Sequence, residues 1–228
     1  MNIRVQELDA SQLGDHYHLN EGDKIYFFHE YSAGQGYSGG PGNSLISNLK
    51  KPMDRSGRPE WKYKIRAIRE CGALIKNGFR DDWLRVATLV PVPPSKIESD
   101  PLYDDRMLQI CNLVGGQIDV DVRELVRQLE TTESDHMRGE GNRLTVDELI
   151  ENYAINEALA GPEPTSIAII DDVLTVGRHF RAMQFVLSKR FPKAEIIGIF
   201  IARRVPSESH IDFSALFSPI DVNEDDKP

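Results

Sequence analysis

Two adjacent aspartates, Asp171 and Asp172, follow the apolar run SIAII (166–170) and precede the turn Leu174-Thr175-Val176-Gly177. The apolar run predicts a buried strand, and the residues after the turn predict a helix. Backbone N–H groups at the start of a helix favour a phosphate. Two carboxylates beside them suit a ribose diol or a divalent cation that keeps water ligands. The pattern predicts a sugar-phosphate site, and a strand end whose acids face water is the alternative.

A second turn, Pro94-Ser95-Lys96, follows the apolar strand predicted over 86–92. In a parallel sheet, ligands bind beyond the carboxyl ends of the strands, where loops lead into helices. Lys96 would supply a cation at the edge of the sheet that carries Asp171 and Asp172. An ordinary solvent-exposed turn is the alternative.

Strands and helices alternate along the chain, which predicts an α/β fold with a doubly wound parallel sheet, helices on both faces and a small N-terminal hood. Thr145 and Glu148 predict a capping box at the start of one helix. The predicted strands are 25–28, 86–92, 116–122, 166–170 and 194–202, and the predicted helices are 59–77, 104–116, 145–161 and 178–191. The glycine-rich stretch 31–44 lacks the strand-GxGxxG-helix pattern and predicts a loop.

Three units are expected. Residues 1–80 form an N-terminal hood that contains the helix 59–77, residues 81–205 form the core, and residues 206–228 form a C-terminal extension with a disordered acidic end.

The composition excludes several classes of protein. The net charge of −9 would repel a polyanion, so a nucleic-acid partner is not expected without a local basic patch. Cys71 and Cys111 predict buried thiols on helix faces rather than disulfides or a zinc site, and His136 and His179 have no partner at ligand spacing. Neither a leader nor a membrane-length apolar run is present, so a cytoplasmic location is expected.

The stretch IAIIDDVLTVG resembles the phosphoribosyl-pyrophosphate (PRPP) signature of type I phosphoribosyltransferases: an apolar strand, two acids, two residues and then Thr-x-Gly. LVPVPPSK before a helix and NSLISNLKKP after an aromatic strand resemble the ComF-like branch, named for a competence protein. The core resemblance covers about residues 85 to 203. The chain departs from the pattern at Val176 and His179, where small or hydroxylated residues are usual, and it lacks the zinc module of many ComF-like members.

The resemblance implies a role for each matching residue. Asp171 and Asp172 would hold the ribose hydroxyls, and Thr175 to Gly177 would bind the 5′-phosphate, with Arg178 or His179 replacing a lost donor by a cation. Pro94, Ser95 and Lys96 would form the pyrophosphate loop.

Two arginines lie where the family has its mobile loop, in the stretch 130–144. Arg138 and Arg143 would reach the pyrophosphate when that loop closes. Mg²⁺ would be carried with PRPP, near Asp171 and Asp172, and no protein ligand is assigned to it directly.

Three functions follow as hypotheses. The first is a Mg²⁺-dependent enzyme that transfers phosphoribosyl from PRPP to an unidentified nitrogen acceptor, with a possible homodimer as its assembly. The second is a non-catalytic sensor of PRPP or a nucleotide that regulates a partner. The third, less expected, is a DNA-handling accessory that uses the basic segment 49–66.

Overall fold

The computed structural model describes residues 3–115, 118–132 and 144–206. The strands are β1 (Gln6–Glu7), β2 (Lys24–Ser32), β3 (Thr88–Pro91), β4 (Asp121–Val122), β5 (Val126–Gln128), β6 (Tyr153–Ile155), β7 (Ser166–Leu174) and β8 (Glu195–Val205). The α-helices are α1 (Pro41–Leu49), α2 (Trp61–Gly78), α3 (Asp81–Leu84), α4 (Arg106–Gly115), α5 (Val146–Asn152) and α6 (Arg178–Arg190). Short 3₁₀ turns cover Leu13–Asp15, Gly36–Gly39, Met53–Arg55 and Glu157–Leu159.

Six strands form one sheet in the order β1-β2-β8-β7-β3-β4, and β5 pairs with β6 in a separate antiparallel hairpin. Only the edge strand β1 is antiparallel to its neighbour in the large sheet. In the register of the sheet, Asp171 of β7 lies opposite Phe200 of β8, and Ile170 lies opposite Pro91 of β3. The predicted α/β fold with a mostly parallel sheet is confirmed.

The helices pack on both faces of the sheet because successive side chains of a strand point to opposite faces. Ala168 and Ile170 of β7 belong to one core cluster, which includes apolar residues of α1, α2 and α4. Ile167 and Ile169 belong to a second cluster, which includes residues of α5 and α6. β7 therefore has apolar residues on both faces and is buried along its length except at Ser166 and Asp171, which are partly exposed.

Both cysteines lie where the helical periodicity placed them. Cys71 of α2 and Cys111 of α4 are buried free thiols in the first core cluster. Burial raises the pKa of each thiol. Cys71 and Cys111 are therefore unreactive core residues, as predicted.

The chain changes direction between β3 and β7, which are neighbours at the middle of the sheet. From β3 it passes through α4 to β4 on one side, and from β7 it passes through α6 to β8 on the other side. These two helices contribute to different core clusters. The loops after β3 and β7 therefore diverge and leave a crevice at the carboxyl ends of the strands, which is where α/β sheets bind ligands.

Helix α1 was not predicted, because the glycines and serines of 31–44 indicated a loop. The helix begins at Pro41, a residue suited to the first helical position, directly after Gly40 with its φ of 100°. Leu45, Ile46 and Leu49 recur at helical spacing and are buried in the core. The loop prediction was therefore wrong from residue 41 onward.

Other boundaries also differ from the predictions, and β2 covers Lys24–Ser32 instead of 25–28. Strand β7 continues through both aspartates to Leu174 instead of ending at Ile170. Helix α5 has the predicted capping box between Thr145 and Glu148. It ends at Asn152, well before the predicted residue 161, because Tyr153–Ile155 pairs with β5 as a strand. Of the strand predicted at 116–122, residues 118–122 are described, and within them only Asp121–Val122 pairs in the sheet.

The segment 1–80 contributes to the sheet itself, since β2 lies between β1 and β8. The domain boundary at residue 80 stays a prediction, and residues 207–228 lie outside the described part of the chain. Among the described residues, no helix is long and apolar enough to cross a membrane.

Candidate functional site

The ends of β3 and β7 bring two predicted groups of residues to one place. The N–H of Val92 donates to the carbonyl oxygen of Ile170 at 2.9 Å, so the chain leaving β3 runs beside the residue before Asp171. The turn formed by Pro94, Ser95 and Lys96 begins two residues after Val92. The two aspartates and the Pro94–Lys96 turn therefore follow neighbouring strands at the same, carboxyl end of the sheet.

Asp172 is buried and holds two cations. Lys50 Nζ lies 2.8 Å from Asp172 Oδ1, and Arg106 Nη2 lies 2.7 Å from Asp172 Oδ2. Lys50 directly follows α1 and Arg106 begins α4, so both cations come from the face of the sheet that packs the first core cluster. Although burial opposes ionisation, the charges of Lys50 and Arg106 hold the pKa of Asp172 well below its usual range.

The ion pairs continue away from Asp172. Arg106 Nη1 lies 2.8 Å from Asp104 Oδ2, and Lys64 Nζ lies 2.7 Å from the same oxygen. Lys64 is 2% exposed, and burial lowers its pKa. Its ammonium also donates to the carbonyl oxygens of Leu49 and Lys51 at 3.0 and 2.9 Å. These bonds fix the end of α1 and therefore the backbone that carries Lys50.

Sequence reasoning missed this network. Lys50 and Lys64 appeared only as members of the basic segment 49–66, and Arg106 only as a residue of a predicted helix. Two acids after an apolar strand signal a need for compensating cations. No spacing rule identifies which of the 27 lysines and arginines supplies them.

Asp171 differs from its neighbour because no described cation lies within ion-pair distance of it. Its Oδ1 accepts a hydrogen bond from the backbone N–H of Asp172 at 2.7 Å. Burial, and secondly the charge of Asp172, raise the pKa of Asp171. A carboxyl with a raised pKa and part of its surface exposed is available for a ligand.

The Thr175–Gly177 turn links β7 to α6. Gly177 is the N-cap residue of α6 in the left-handed region, with φ 88°, and no side chain caps this helix. A Cβ at this position would lie 2.9 Å from Leu19 Cδ2. Both the conformation and the packing therefore require glycine, and Thr175 does not act as the helix cap.

The segment His16–Leu19 packs against this turn from the N-terminal part of the chain. His16 Nδ1 donates to the carbonyl oxygen of Thr175, and the backbone N–H of His18 donates to that of Val176 at 3.0 Å. His16 is fully buried, and burial lowers its pKa. No sequence pattern predicted that residues so distant from 175–177 would contact them.

Arg178 and His179 lie in the first turn of α6, beside the Thr175–Gly177 turn. His179 Nδ1 and the hydroxyl of Tyr153 are 2.8 Å apart, which connects α6 to the β5–β6 hairpin. The side chains of Arg178 and His179 are partly buried. Their predicted role as replacement phosphate donors stays a prediction.

The Pro94–Lys96 turn and the residue after it form hydrogen bonds with Thr131 and Thr132. Ser95 O accepts from Thr132 N at 2.7 Å, and Ile97 N donates to Thr131 Oγ1 at 3.2 Å. Arg138, Arg143 and His136 lie outside the described residues, so their predicted placement stays untested. Lys96 borders a cavity of about 600 Å³ that Tyr103, Glu124 and Gln128 also line. Asp171 and Asp172 are not among its lining residues.

No group of three or more metal-ligating His, Cys, Asp or Glu side chains occurs in the described ranges. The crevice nevertheless suits a Mg²⁺ ion that arrives with phosphate oxygens, because Mg²⁺ commonly takes one or two carboxylates and completes its shell with phosphates and water. Asp171 is the carboxylate that could contribute there.

A scan of protein-family models found no match to this chain, and no curated protein matched its sequence. Its function is therefore inferred from the site.

Proposed function

We propose that the chain binds PRPP with Mg²⁺ in the crevice between β3 and β7 and transfers the phosphoribosyl group to a nitrogen acceptor. One observation carries this proposal. Two acids and a Thr-x-Gly turn lie at the end of the central strand β7, beside the Pro94–Lys96 turn that follows β3. Between these two strands the strand order of the sheet reverses. The fold is accordingly proposed to be type I phosphoribosyltransferase-like, with residues before the core forming a hood.

The 5′-phosphate would lie at the Thr175–Gly177 turn. This turn leads directly into α6, a helix of 13 residues whose N-terminal end has no side-chain cap. Uncapped N–H groups and the positive end of the helix dipole favour a phosphate dianion. Arg178 would add a positive charge beside it.

The ribose would lie against Asp171. Its carboxyl is the less compensated of the two, because Asp172 already holds Lys50 and Arg106. Each oxygen of Asp172 already accepts from a cation, so a ribose hydroxyl would compete with Lys50 and Arg106 for this carboxylate.

Lys50, Arg106 and Lys96 would neutralise the pyrophosphate as it leaves, together with Arg138 and Arg143. In the reaction, the bond between the anomeric carbon and pyrophosphate oxygen breaks, pyrophosphate leaves with the electron pair, and the acceptor nitrogen forms the new bond. Cations fixed near the developing charge lower the barrier because they need no reorganisation. Mg²⁺, when bound, would supply further neutralisation of the pyrophosphate.

The ion pairs of Asp172 also favour a second candidate, a non-catalytic sensor of PRPP or a nucleotide. A buried carboxylate whose two oxygens each pair with a partly buried cation is costly to separate from them. If Asp172 keeps Lys50 and Arg106 when ligand is bound, the site would bind a phosphoribosyl group without promoting transfer.

Release of pyrophosphate from Mg·PRPP, measured across a panel of nitrogen acceptors, tests the proposal. The enzyme hypothesis predicts release by the wild type with at least one acceptor, and strongly reduced release by Asp171→Asn. Glu195→Gln is a matched control, because Glu195 pairs with Ser166 at the opposite end of the same strands. Binding of PRPP without release would support the sensor, and neither binding nor release would contradict both candidates.

A further inference from the structure

The N-terminal clasp, defined as residues 16–19, holds the carbonyl side of the Thr175–Gly177 turn. His16 Nδ1 donates to the carbonyl oxygen of Thr175, and His18 N donates to the carbonyl oxygen of Val176 at 3.0 Å. Two consecutive carbonyl groups therefore face the clasp. The contact joins parts of the chain that are 159 residues apart.

The geometry of the peptide bond determines what lies on the other side of the turn. In a trans peptide, the C=O and N–H of one amide point in opposite directions. The carbonyl of Thr175 shares its amide with the N–H of Val176, and the carbonyl of Val176 shares its amide with the N–H of Gly177. Fixing both carbonyls on the clasp therefore directs both N–H groups away from it.

Those two N–H groups are available. The backbone hydrogen bonds of the described residues include none donated by Val176 or Gly177. Gly177 has the left-handed conformation found in anion-binding nests, where successive N–H groups converge. The turn also leads into the N-terminal end of α6, where the positive end of the helix dipole likewise favours an anion.

The clasp is itself anchored, so it can impose an orientation. Arg181 of α6 donates from Nε to the carbonyl oxygen of His18 at 2.9 Å and pairs with Asp23 at 2.6 Å. Leu19 is buried against Gly177, and its N–H donates to the carbonyl oxygen of His16 at 2.8 Å. The clasp is therefore fixed to the same helix that follows the turn.

His16 makes this contact at a cost to folding. Its side chain has no exposed surface, and its Nε2 has no hydrogen-bond partner among the described residues. A buried polar atom without a partner is destabilising, so an apolar residue would serve packing better. The use of histidine here points to the contact that its other nitrogen makes.

We propose that His16 is a positioning residue, which holds the Thr175 carbonyl so that the N–H groups of Val176 and Gly177 face the crevice as a nest for a phosphate monoester. The nest itself requires only a phosphate. Its assignment to the 5′-phosphate of PRPP rests on the proposed function.

Binding of ribose 5-phosphate, inorganic phosphate and Mg·PRPP to His16 variants tests the inference. His16→Ala is expected to weaken phosphate binding about tenfold, because the hydrogen bonds to a charged group lose their alignment. His16→Asn should bind phosphate about as tightly as the wild type, since the asparagine amide nitrogen takes the place of Nδ1. His16→Gln places its amide one bond further out and should not restore binding, which keeps the comparison informative if the alanine variant does not fold.

A structural role alone would not produce the expected signature. In the ¹⁵N spectrum, phosphate should shift the amide signals of Val176 and Gly177 in the wild type and His16→Asn, and not in His16→Gln. His29→Ala is the control, because His29 is a partly buried histidine that packs against Gly42 of α1 and not against the turn. Its phosphate affinity should equal that of the wild type.

The outcomes separate the two proposals. Phosphate or ribose 5-phosphate binding that depends on His16, without PRPP binding, would support the positioning role and contradict the proposed function. Equal binding by the wild type, His16→Gln and His16→Ala would overturn the positioning role and leave the proposed function intact. A wild type that binds none of the three compounds would overturn both.

Discussion

Lys50 Nζ lies 2.8 Å from Asp172 Oδ1, which links the end of a helix near the N-terminus to the strand that carries the acidic pair. Arg106 occupies the other carboxylate oxygen. Asp172 is thus the centre of a buried ion-pair network that extends through Asp104 to Lys64. The arrangement explains how β7 can continue through two aspartates.

Replacing Lys50 by methionine should destabilise the fold. The substitution leaves Asp172 buried with Arg106 as its one remaining cation, and breaking a buried pair in this way costs about 3 kcal/mol, less here for the partial exposure of Lys50. Urea unfolding would measure the change. Lys24→Met removes an exposed pair with Glu195 and should leave stability unchanged. Equal stability of Lys50→Met and the wild type would show that the Asp172 pair is not structural.

Gly177→Ala should destabilise the protein more than Gly57→Ala. Both glycines have similar left-handed φ values, 88° and 83°, so alanine is strained by about 1–2 kcal/mol at either position. A Cβ at residue 57 meets nothing within 4 Å, whereas one at residue 177 meets Leu19. Overpacking should add about 1–3 kcal/mol at residue 177.

The measurement is thermal unfolding of both variants and of the double variant Leu19→Ala/Gly177→Ala. Gly177→Ala should cost less stability in a Leu19→Ala background than in the wild type, because the overlapping side chain is then absent. Leu19→Ala alone is the reference, since it removes a buried side chain. Equal losses at residues 57 and 177 would contradict the packing of residues 16–19 on the turn.

Asp171→Asn should increase stability at neutral pH. The pKa of Asp171 in the folded protein is raised above 3.8, its unfolded value, mainly by burial. Its contribution to stability is therefore fully present below pH 3.8 and is lost as the pH rises through the folded pKa. Asparagine keeps the oxygen that accepts from Asp172 N and has no charge to bury.

Unfolding curves of the wild type and Asp171→Asn from pH 4 to pH 8 would check this. The advantage of the variant should be smallest at pH 4 and should grow toward pH 8. Curves that stay parallel across this range would mean that the folded protein does not raise the pKa of Asp171.

Lys96→Met should weaken the binding of Mg·PRPP and of pyrophosphate about tenfold. Binding of ribose 5-phosphate should change little, because Lys96 is proposed to contact the pyrophosphate and not the 5′-phosphate. Lys193→Met is the control, because it removes the same charge. Lys193 is exposed in the turn before β8, at the end of the parallel strands opposite to the site. Calorimetric titration would give the affinities. An equal loss for all three ligands would place Lys96 elsewhere in the site.

Periodicity predicted the strands and helices whose cores are apolar on a regular spacing, such as α2 and β7, because burial follows that spacing directly. It failed for α1, where Gly40 and Pro41 begin a helix within a glycine-rich stretch. It also failed for Tyr153–Ile155, which forms a strand only because Val126–Gln128 lies beside it.

For the site, the motif identified Asp171, Asp172 and the Thr175–Gly177 turn, whose chemistry is local in the sequence. Lys50, Arg106 and His16 were not predicted, since each reaches the site through tertiary contacts. Compensation of a buried charge specifies that partners exist without specifying where in the chain they are.

Calorimetric titration of Mg·PRPP into the wild type and Asp171→Asn tests the central claim most directly. The single variant is chosen because it should fold at least as stably as the wild type, so lost binding cannot come from unfolding. We expect saturable binding to the wild type, strongly weakened binding to Asp171→Asn, and unchanged binding to the control Glu195→Gln. No binding to the folded wild type, or equal binding to the wild type and Asp171→Asn, would contradict the assignment of this crevice as a PRPP site.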